Sequence, residues 1–206
     1  MTAGDPALPT SVLLGPDELR ALLDRIAREI EHDHPDGVVL VGVLKGALLF
    51  LADLARAITE IPVDVDFIAI SRFAPDSGRV RITHDMDTDI AGRDVVIVED
   101  IVDTGLTLSY LSRQLAARGP RTLDACALLD RESRRIVPER VRYRGVALED
   151  AFVLGYGLHY RDLYRNLPFV AVGDRDAVRD RPDVYVSELY GTRGGLTGGG
   201  GGAGSD

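Results

Sequence analysis

Two uninterrupted apolar runs constrain the fold of this chain more than any other feature. The first covers Gly37 to Val43, and the second lies within Asp94 to Val98. A strand that is apolar at nearly every position is typical of a sheet covered on both faces. Further strands alternate with helical patterns and are predicted over 63–69, 123–129, 151–154 and 168–172. This alternation predicts an α/β fold with a mainly parallel sheet flanked by helices.

The length of 206 residues predicts one compact domain, placed at 15–190. Residues 1–14 are predicted to be an irregular N-terminal arm, and 191–206, which are mostly glycine, a disordered tail. Pro16 begins the first helix, whose apolar positions recur at helical spacing. His32 and His34 at its polar end are predicted to be exposed to solvent rather than to act as ligands.

Composition excludes several classes of function. A net charge of -9 argues against general binding of nucleic acid or of an anionic membrane, and the absence of Trp argues against stacking platforms for single strands. Cys126 is the only cysteine, so an intramolecular disulfide is impossible, and its apolar neighbours predict a buried structural thiol. No stretch has the length of a transmembrane helix and the N-terminus lacks a signal-peptide pattern, so we expect a cytoplasmic protein.

The residues from Val95 to Thr107 carry the strongest chemical signal. Glu99 and Asp100 follow a buried strand, and the loop from Asp103 to Thr107 opens a helix. The loop offers a glycine, hydroxyls and N–H groups at a helix N-terminus, which suit a phosphate. The carboxylates suit a ribose diol or Mg²⁺. A solvated acidic strand end with a capped helix is the alternative, but the pair, the spacing and the Thr-Gly-x-Thr loop together favour a functional site.

These thirteen residues resemble the phosphoribosyl pyrophosphate (PRPP) motif of type I phosphoribosyltransferases, specifically that of hypoxanthine-guanine phosphoribosyltransferases. The similarity extends over roughly residues 15 to 172. It includes Val43 to Gly46, which resembles a pyrophosphate loop with a cis peptide before the lysine. Leu128 to Arg131, Phe152-Val153, Gly155 to Leu158 and Tyr164 to Leu167 match further family segments. The resemblance implies the fold of this family, including a small hood region.

The resemblance also implies a role for each site residue. Asp103 is the implied acid/base residue, facing N7 of the base, and Glu99 and Asp100 hold the ribose hydroxyls and their Mg²⁺. The implied PRPP contacts at the ribose and 5-phosphate are Glu99, Asp100, Asp103, Thr104, Gly105, Leu106 and Thr107. The implied pyrophosphate contacts are Lys45, Gly46 and Arg165, and the implied base contacts are Arg131, Phe152 and Val153. Lys45 is the only lysine of the chain, and a compact ammonium fits a tight backbone loop.

Three departures from the family pattern stand out. Arg131 replaces the usual lysine at the 6-oxo group, which bears on base preference. His159 replaces an acidic residue that ligates a second Mg²⁺, and imidazole is a poor ligand for this hard cation. The implied lid, with Arg72 and Phe73, is shorter than in the family, which bears on water exclusion and turnover.

The implied activity is purine salvage, which forms IMP or GMP and pyrophosphate from PRPP and a 6-oxopurine with Mg²⁺ as cofactor. The implied partners are these small molecules and further copies of the chain, in a homodimer or homotetramer. One alternative is a phosphoribosyltransferase for another base, xanthine or a non-purine. Another is a regulator that senses PRPP or a nucleotide without catalysis. Asp103 favours an enzyme, because a sensor needs no acid/base group.

Overall fold

A computed structural model describes residues 11–71 and 81–190 of the chain. The predicted lid residues Arg72 and Phe73, the glycine-rich tail and positions 1–10 of the predicted arm lie outside the described residues. Among the described helices, none combines the length and the apolar character that a membrane span requires.

A mainly parallel sheet of six strands forms the centre of the molecule, as predicted. Its strands along the chain are β2 (Val38–Leu44), β3 (Val63–Ile70), β4 (Ile82–His84), β5 (Asp94–Val102), β6 (Thr122–Asp130) and β7 (Tyr143–Ala147). Their order across the sheet is β4-β3-β2-β5-β6-β7. All neighbouring pairs are parallel except β3 and β4.

Helices cover both faces of this sheet, which explains the uninterrupted apolar runs. Helices α1 (Pro16–Asp33) and α2 (Leu48–Ala57) pack on one face, and α3 (Leu106–Ala116) packs on the other. Successive residues of a strand point to opposite faces, so Val96 meets the first pair of helices and Val95 meets α3. Cys126 is buried among the residues of the first face, as predicted, and burial raises the pKa of its thiol.

A smaller antiparallel sheet forms the hood that the resemblance implies. Its strands are β1 (Ser11–Leu14), β9 (Val170–Gly173) and β8 (Phe152–Leu154), in that order. Two short helices, α4 (Arg175–Asp180) and α5 (Val186–Leu189), follow it. The prediction of an irregular arm over 1–14 is wrong for residues 11–14, which pair with β9. A strand of four residues carries too little periodicity to be recognised, and its partner lies far away along the chain.

The prediction that His34 is exposed is also wrong. Its side chain is 2% exposed, with Nδ1 3.0 Å from Asp94 Oδ2 and Nε2 2.9 Å from the hydroxyl of Tyr143. Tyr143 lies in β7 and Asp94 begins β5, so His34 joins the end of α1 to two strands at the N-terminal edge of the sheet. A buried polar side chain needs such partners, and the sequence does not show that the fold supplies them.

Candidate active site

The C-terminal ends of β2, β5 and β6 meet at one edge of the central sheet, where parallel sheets usually bind ligands. Each strand leads directly into a predicted site residue: Lys45 after β2, Asp103 after β5 and Arg131 after β6. The hood lies above this edge, and a cavity of about 640 Å³ separates the two. Parallel strands therefore bring together residues that are far apart in the sequence.

The loop from Asp103 to Gly105 joins β5 to α3. Gly105 is the N-cap of α3 and has a φ of 81°, in the left-handed region that favours glycine. A Cβ here would also lie 2.5 Å from the carbonyl oxygen of Val137. The N–H groups of Ile136 and Val137 donate to the carbonyl oxygen of Thr104 at 2.9 and 3.1 Å. The segment after β6 thus holds the loop in place from behind, and helix N-termini of this kind bind anions.

Glu99 and Asp100 lie within β5 rather than after it, because the strand continues to Val102. Glu99 is buried, and its pKa is raised well above the usual value, first by burial and second by the charge of Asp100. Asp100 is half-buried and its Oδ1 accepts a hydrogen bond of 2.9 Å from the N–H of Ile101. Both carboxyl groups line the cavity.

Close backbone packing places the predicted pyrophosphate loop between the sheet and the hood. The Leu44–Lys45 peptide is cis, in agreement with the resemblance. A Cβ on Gly46 would lie 1.8 Å from Oδ2 of Asp100, so a larger residue here would displace this carboxylate. On the hood side, a Cβ on Gly157 would lie 2.2 Å from the carbonyl oxygen of Gly46.

Arg165 completes this end of the cavity. Its Nη1 donates to the carbonyl oxygen of Gly157 at 2.7 Å, and its Nη2 lies 3.2 Å from Oδ1 of Asp162. Hydrogen bonding to Arg165 and the charge of Lys45 lower the pKa of Asp162. Lys45 and Arg165 thus form a cationic wall that suits a polyanion.

Asp103 and Arg131 face each other at the other end. Arg131 Nη1 lies 3.4 Å from Asp103 Oδ2. The side chain of Arg131 is 4% exposed, and it donates from Nε to the carbonyl oxygen of Glu149 at 3.1 Å and from Nη2 to that of Ala151. The Oδ1 atom of Asp103 is buried and has no hydrogen-bond partner within the described structure. A buried acceptor of this kind fits a proton donor supplied by a ligand.

Sequence reasoning missed a second cation at this carboxylate. Arg134 belongs to the 3₁₀ turn Glu132–Arg134, which follows β6. Its Nη1 lies 3.7 Å from Asp103 Oδ2. Three arginines, Arg131, Arg134 and Arg135, follow Asp130 within five positions, and this density was the available signal. Arg135 turns away from the cavity to pair with the buried Asp130.

Phe152 and Val153, the predicted base contacts, line the cavity from the hood. The ring of Phe152 packs edge-on against Tyr160 with 6.1 Å between the centroids. Arg175, which the sequence did not single out, also lines the cavity and lies over Phe152, with Cζ 5.4 Å from the ring centroid. An aromatic ring at the edge of an open cavity can stack on a flat ligand.

Most of the predicted site residues therefore come together. The cavity is lined by Lys45, Gly46, Glu99, Asp100, Asp103, Gly105, Thr107, Arg131, Phe152, Val153, His159 and Arg165. Thr104 and Leu106 belong to the same loop but do not line the cavity in the part of the chain that is described.

Mg²⁺ is a hard cation that prefers oxygen ligands. Among the described residues, no group of three or more His, Cys, Asp or Glu side chains is arranged to hold a metal ion. Mg²⁺ usually needs only one or two carboxylates, because water and substrate phosphates supply its other ligands. Asp100 at the cavity wall fits this role. Nδ1 of His159 accepts a hydrogen bond of 3.0 Å from the N–H of Asp162, so this nitrogen is already engaged.

Comparison with known proteins places the chain in a family. The family model described as "Phosphoribosyl transferase domain" matches residues 15–161. The chain belongs to the phosphoribosyltransferase family. It is 42% identical over 174 residues to the hypoxanthine-guanine phosphoribosyltransferase of Mycobacterium avium, covering 80% of this chain and 85% of the relative.

Two further comparisons agree with this assignment. The hypoxanthine phosphoribosyltransferase of Salmonella typhimurium is 41% identical over 165 residues, covering 77% of this chain and 92% of that protein. The solved structure of the Trypanosoma cruzi hypoxanthine phosphoribosyltransferase superposes with a TM-score of 0.79 at 36% identity, covering 85% of this chain and 96% of that one.

Proposed function

We propose that the chain transfers the 5-phosphoribosyl group of PRPP to hypoxanthine or guanine, forming IMP or GMP and pyrophosphate. One observation carries the proposal: Asp103, an acceptor, and Arg131, a donor, lie 3.4 Å apart beside Phe152. A 6-oxopurine has a proton at N7 next to an oxygen at C6, on the same edge of a flat ring. The two side chains match these neighbouring groups in chemistry and spacing, while Phe152 stacks on the ring.

The phosphoribosyl group is assigned to the end of β5. The loop from Asp103 to Thr107 would hold the 5-phosphate through its N–H groups and hydroxyls, at the N-terminus of α3. Glu99 and Asp100 would hold the ribose hydroxyls. Both carboxyl groups line the cavity beside this loop.

The leaving pyrophosphate is assigned to Lys45, Gly46 and Arg165. Two cations near a leaving polyanion stabilise the negative charge that develops as its bond to C1′ breaks. Asp100, which touches Gly46, would hold Mg²⁺, and this ion when bound would supply further positive charge to the diphosphate. His159, with one nitrogen already engaged, is not assigned to a second metal site.

Asp103 would act as the acid/base residue towards the N7 proton of the base. The C1′–N9 bond forms as the C1′–oxygen bond breaks, and the electron pair of the broken bond leaves with pyrophosphate. The buried, unpartnered Oδ1 of Asp103 would accept or share the N7 proton as positive charge develops on the purine. Arg131 would meanwhile donate to the 6-oxo group.

An assay of pyrophosphate release with PRPP, Mg²⁺ and one base at a time tests the proposal. Hypoxanthine and guanine should be turned over. Adenine should not, because its 6-amino group offers donors where Arg131 also donates. Robust turnover of adenine would contradict the assignment of Arg131, and chromatography of the nucleotide product identifies the base that was used.

We also propose that the chain forms a homodimer or a homotetramer. The study of the Trypanosoma cruzi relative connects the C-terminal region of that protein with its oligomeric state and activity, which supports the proposal. Sedimentation equilibrium of the full chain would test it, since a monomer at micromolar concentration would contradict it.

A further inference from the structure

A two-residue turn in the hood fixes the ring of His159. Tyr160 and Leu163 pair through two backbone hydrogen bonds of 3.4 and 3.0 Å, so Arg161 and Asp162 form the tip of a tight hairpin. Both tip residues have positive φ angles, 48° and 63°, which the common two-residue hairpin turn requires. The turn directs the N–H group of Asp162 back to Nδ1 of His159, which accepts it at 3.0 Å. The backbone therefore sets the orientation of the imidazole ring.

The hydrogen bond from Asp162 also decides where this ring carries its proton. Nδ1 of His159 uses its lone pair to accept the N–H group, so the neutral ring carries its proton on Nε2. Neither nitrogen then has a lone pair for a metal ion, and Nε2 is a hydrogen-bond donor. The side chain is 22% exposed and lines the cavity. His159 therefore presents an N–H group to the cavity and not a metal ligand.

Distances place the ring beside the cations that are assigned to pyrophosphate. Nδ1 of His159 lies 3.9 Å from Oδ1 of Asp162, and Nη2 of Arg165 lies 3.2 Å from the same oxygen. Arg165 also donates to the carbonyl oxygen of Gly157, whose backbone packs against the loop after β2. Lys45 of that loop lines the cavity together with His159 and Arg165. Hydrogen-bond donors of three kinds therefore meet at this end of the cavity.

We infer that His159 is a pyrophosphate-binding residue, whose Nε2–H group donates to a terminal oxygen of the diphosphate. The inference rests on the proposed function. A diphosphate has several terminal oxygens, and each of them accepts hydrogen bonds. A hydrogen bond to an ionised acceptor is stronger than one to a neutral acceptor. Because negative charge on the diphosphate grows as its bond to C1′ breaks, a donor fixed at this place also stabilises the leaving group.

Calorimetric binding of inorganic pyrophosphate in the presence of Mg²⁺ to His159→Asn and His159→Gln tests the inference. Asparagine can still accept the N–H group of Asp162 but places no donor at the position of Nε2, whereas the longer glutamine places its amide near Nε2 and can donate there. His159→Asn should weaken pyrophosphate binding by about tenfold or more, the value of a hydrogen bond to a charged group. His159→Gln should stay within about threefold of the wild type, since a donor to the charged acceptor is retained.

IMP is the control ligand, because it has a base and a 5-phosphate but no pyrophosphate. Its affinity should change by less than about threefold in both variants, since no hydrogen bond to it is lost. His32→Asn is the matched control protein, because this histidine is exposed and does not line the cavity. It should bind pyrophosphate and IMP as the wild type does. Thermal unfolding of each variant would establish that the fold is retained.

The dependence on Mg²⁺ separates a donor from a metal ligand. An N–H group binds no cation, so the ratio of the wild-type and His159→Asn affinities for pyrophosphate should be the same at low and at high Mg²⁺. A ratio that increases with the Mg²⁺ concentration would mean that His159 ligates the metal, which would overturn the inference.

Other outcomes would also overturn it. Equal losses for pyrophosphate and IMP in His159→Asn would mean that the ring only supports the hood, and an unchanged affinity for pyrophosphate would mean that it does not contact this ligand. A loss in His159→Gln as large as that in His159→Asn would contradict a donor at Nε2. In each case turnover of hypoxanthine by the wild type would leave the proposed function standing. A wild-type chain that binds neither pyrophosphate nor PRPP would contradict the proposed function itself.

Discussion

At the scale of single residues, the surroundings of Asp103 define the site. One of its oxygens faces Arg131 at 3.4 Å and Arg134 at 3.7 Å, while the other is buried without a partner in the described structure. The unpartnered oxygen is available to a proton donor on a ligand. Arg131 in turn is fixed by two backbone carbonyl groups that come from the start of the hood.

Replacement of Arg131 should test its contact with the base. Arg131→Ala should lower kcat/KM for hypoxanthine by about a hundredfold, because a donor to the reacting base is lost. Arg131→Lys should keep activity to within about tenfold, since the ammonium still donates to an oxygen but cannot satisfy both carbonyl groups. Arg134→Ala is the neighbouring control with a smaller expected effect, because its side chain is 40% exposed and farther from Asp103. Equal losses in the two alanine variants would contradict the distinct role of Arg131.

At the scale of elements, the segment after β6 and the loop before α3 form one unit. Ile136 and Val137 hold Thr104 through backbone hydrogen bonds, and Gly105 fits tightly against Val137. The loop from Asp103 to Gly105 is thus held by residues that follow it by 32 or 33 positions. The sequence revealed the loop but not this support, because Ile136 and Val137 lie in an irregular segment after the 3₁₀ turn, which has no periodic signature.

The two ends of α3 provide a matched pair of glycine variants. Gly105→Ala combines a positive φ of 81° with a close approach to Val137, whereas Gly119→Ala has a φ of 71° and nothing within 4 Å. Both should lose roughly 1 kcal/mol of stability from the backbone conformation. Only Gly105→Ala should also weaken PRPP binding, by about tenfold or more, because it would displace the N–H groups proposed to hold the 5-phosphate. If calorimetry gave Gly105→Ala and Gly119→Ala the same affinity for PRPP, this loop would not bind the phosphate.

At the scale of the whole molecule, the sequence predicted the sheet better than the hood. Continuous apolar strands such as β2 and β5 can be recognised from the sequence alone, because both of their faces are buried whichever strands they pair with. The motif that begins on β5 was found because its carboxylate pair and its Thr-Gly-x-Thr loop are contiguous in the sequence. The strand Ser11–Leu14 and the position of Arg175 beside Phe152 were not predicted, since both depend on long-range pairing in the hood. The burial of His34 was not predicted because its partners, Asp94 and Tyr143, are distant in sequence.

The buried network at the N-terminal edge of the sheet should govern stability in acid. Asp94 accepts hydrogen bonds from Arg121 and Thr122 at 2.8 Å and lies 3.0 Å from His34. These contacts, chiefly that of Arg121, hold the pKa of Asp94 well below its usual value. A depressed pKa in the folded state contributes stability that is present above the unfolded pKa, near 4, and is lost as the pH falls towards the folded value.

Urea unfolding as a function of pH would measure this contribution. The free energy of unfolding should fall as the pH drops below about 4. Asp94→Asn should lower the free energy of unfolding by about 3 kcal/mol at pH 7 and should make it depend less on pH in acid. Asp36→Asn is the control, because this side chain is 78% exposed and lies 3.5 Å from Arg121. An Asp94→Asn protein as stable as the wild type at pH 7 would contradict this role of the network.

The most direct test of the account as a whole is a single-turnover measurement on Asp103→Asn with PRPP, Mg²⁺ and hypoxanthine. Asparagine keeps the shape of the side chain but cannot take up the N7 proton. We expect nearly unchanged calorimetric affinity for PRPP and a rate lower by about two to four orders of magnitude. Asp100→Asn, by contrast, should weaken PRPP binding. A wild-type rate in Asp103→Asn would contradict the account, because the carboxylate between Arg131 and Arg134 would then have no part in the chemistry.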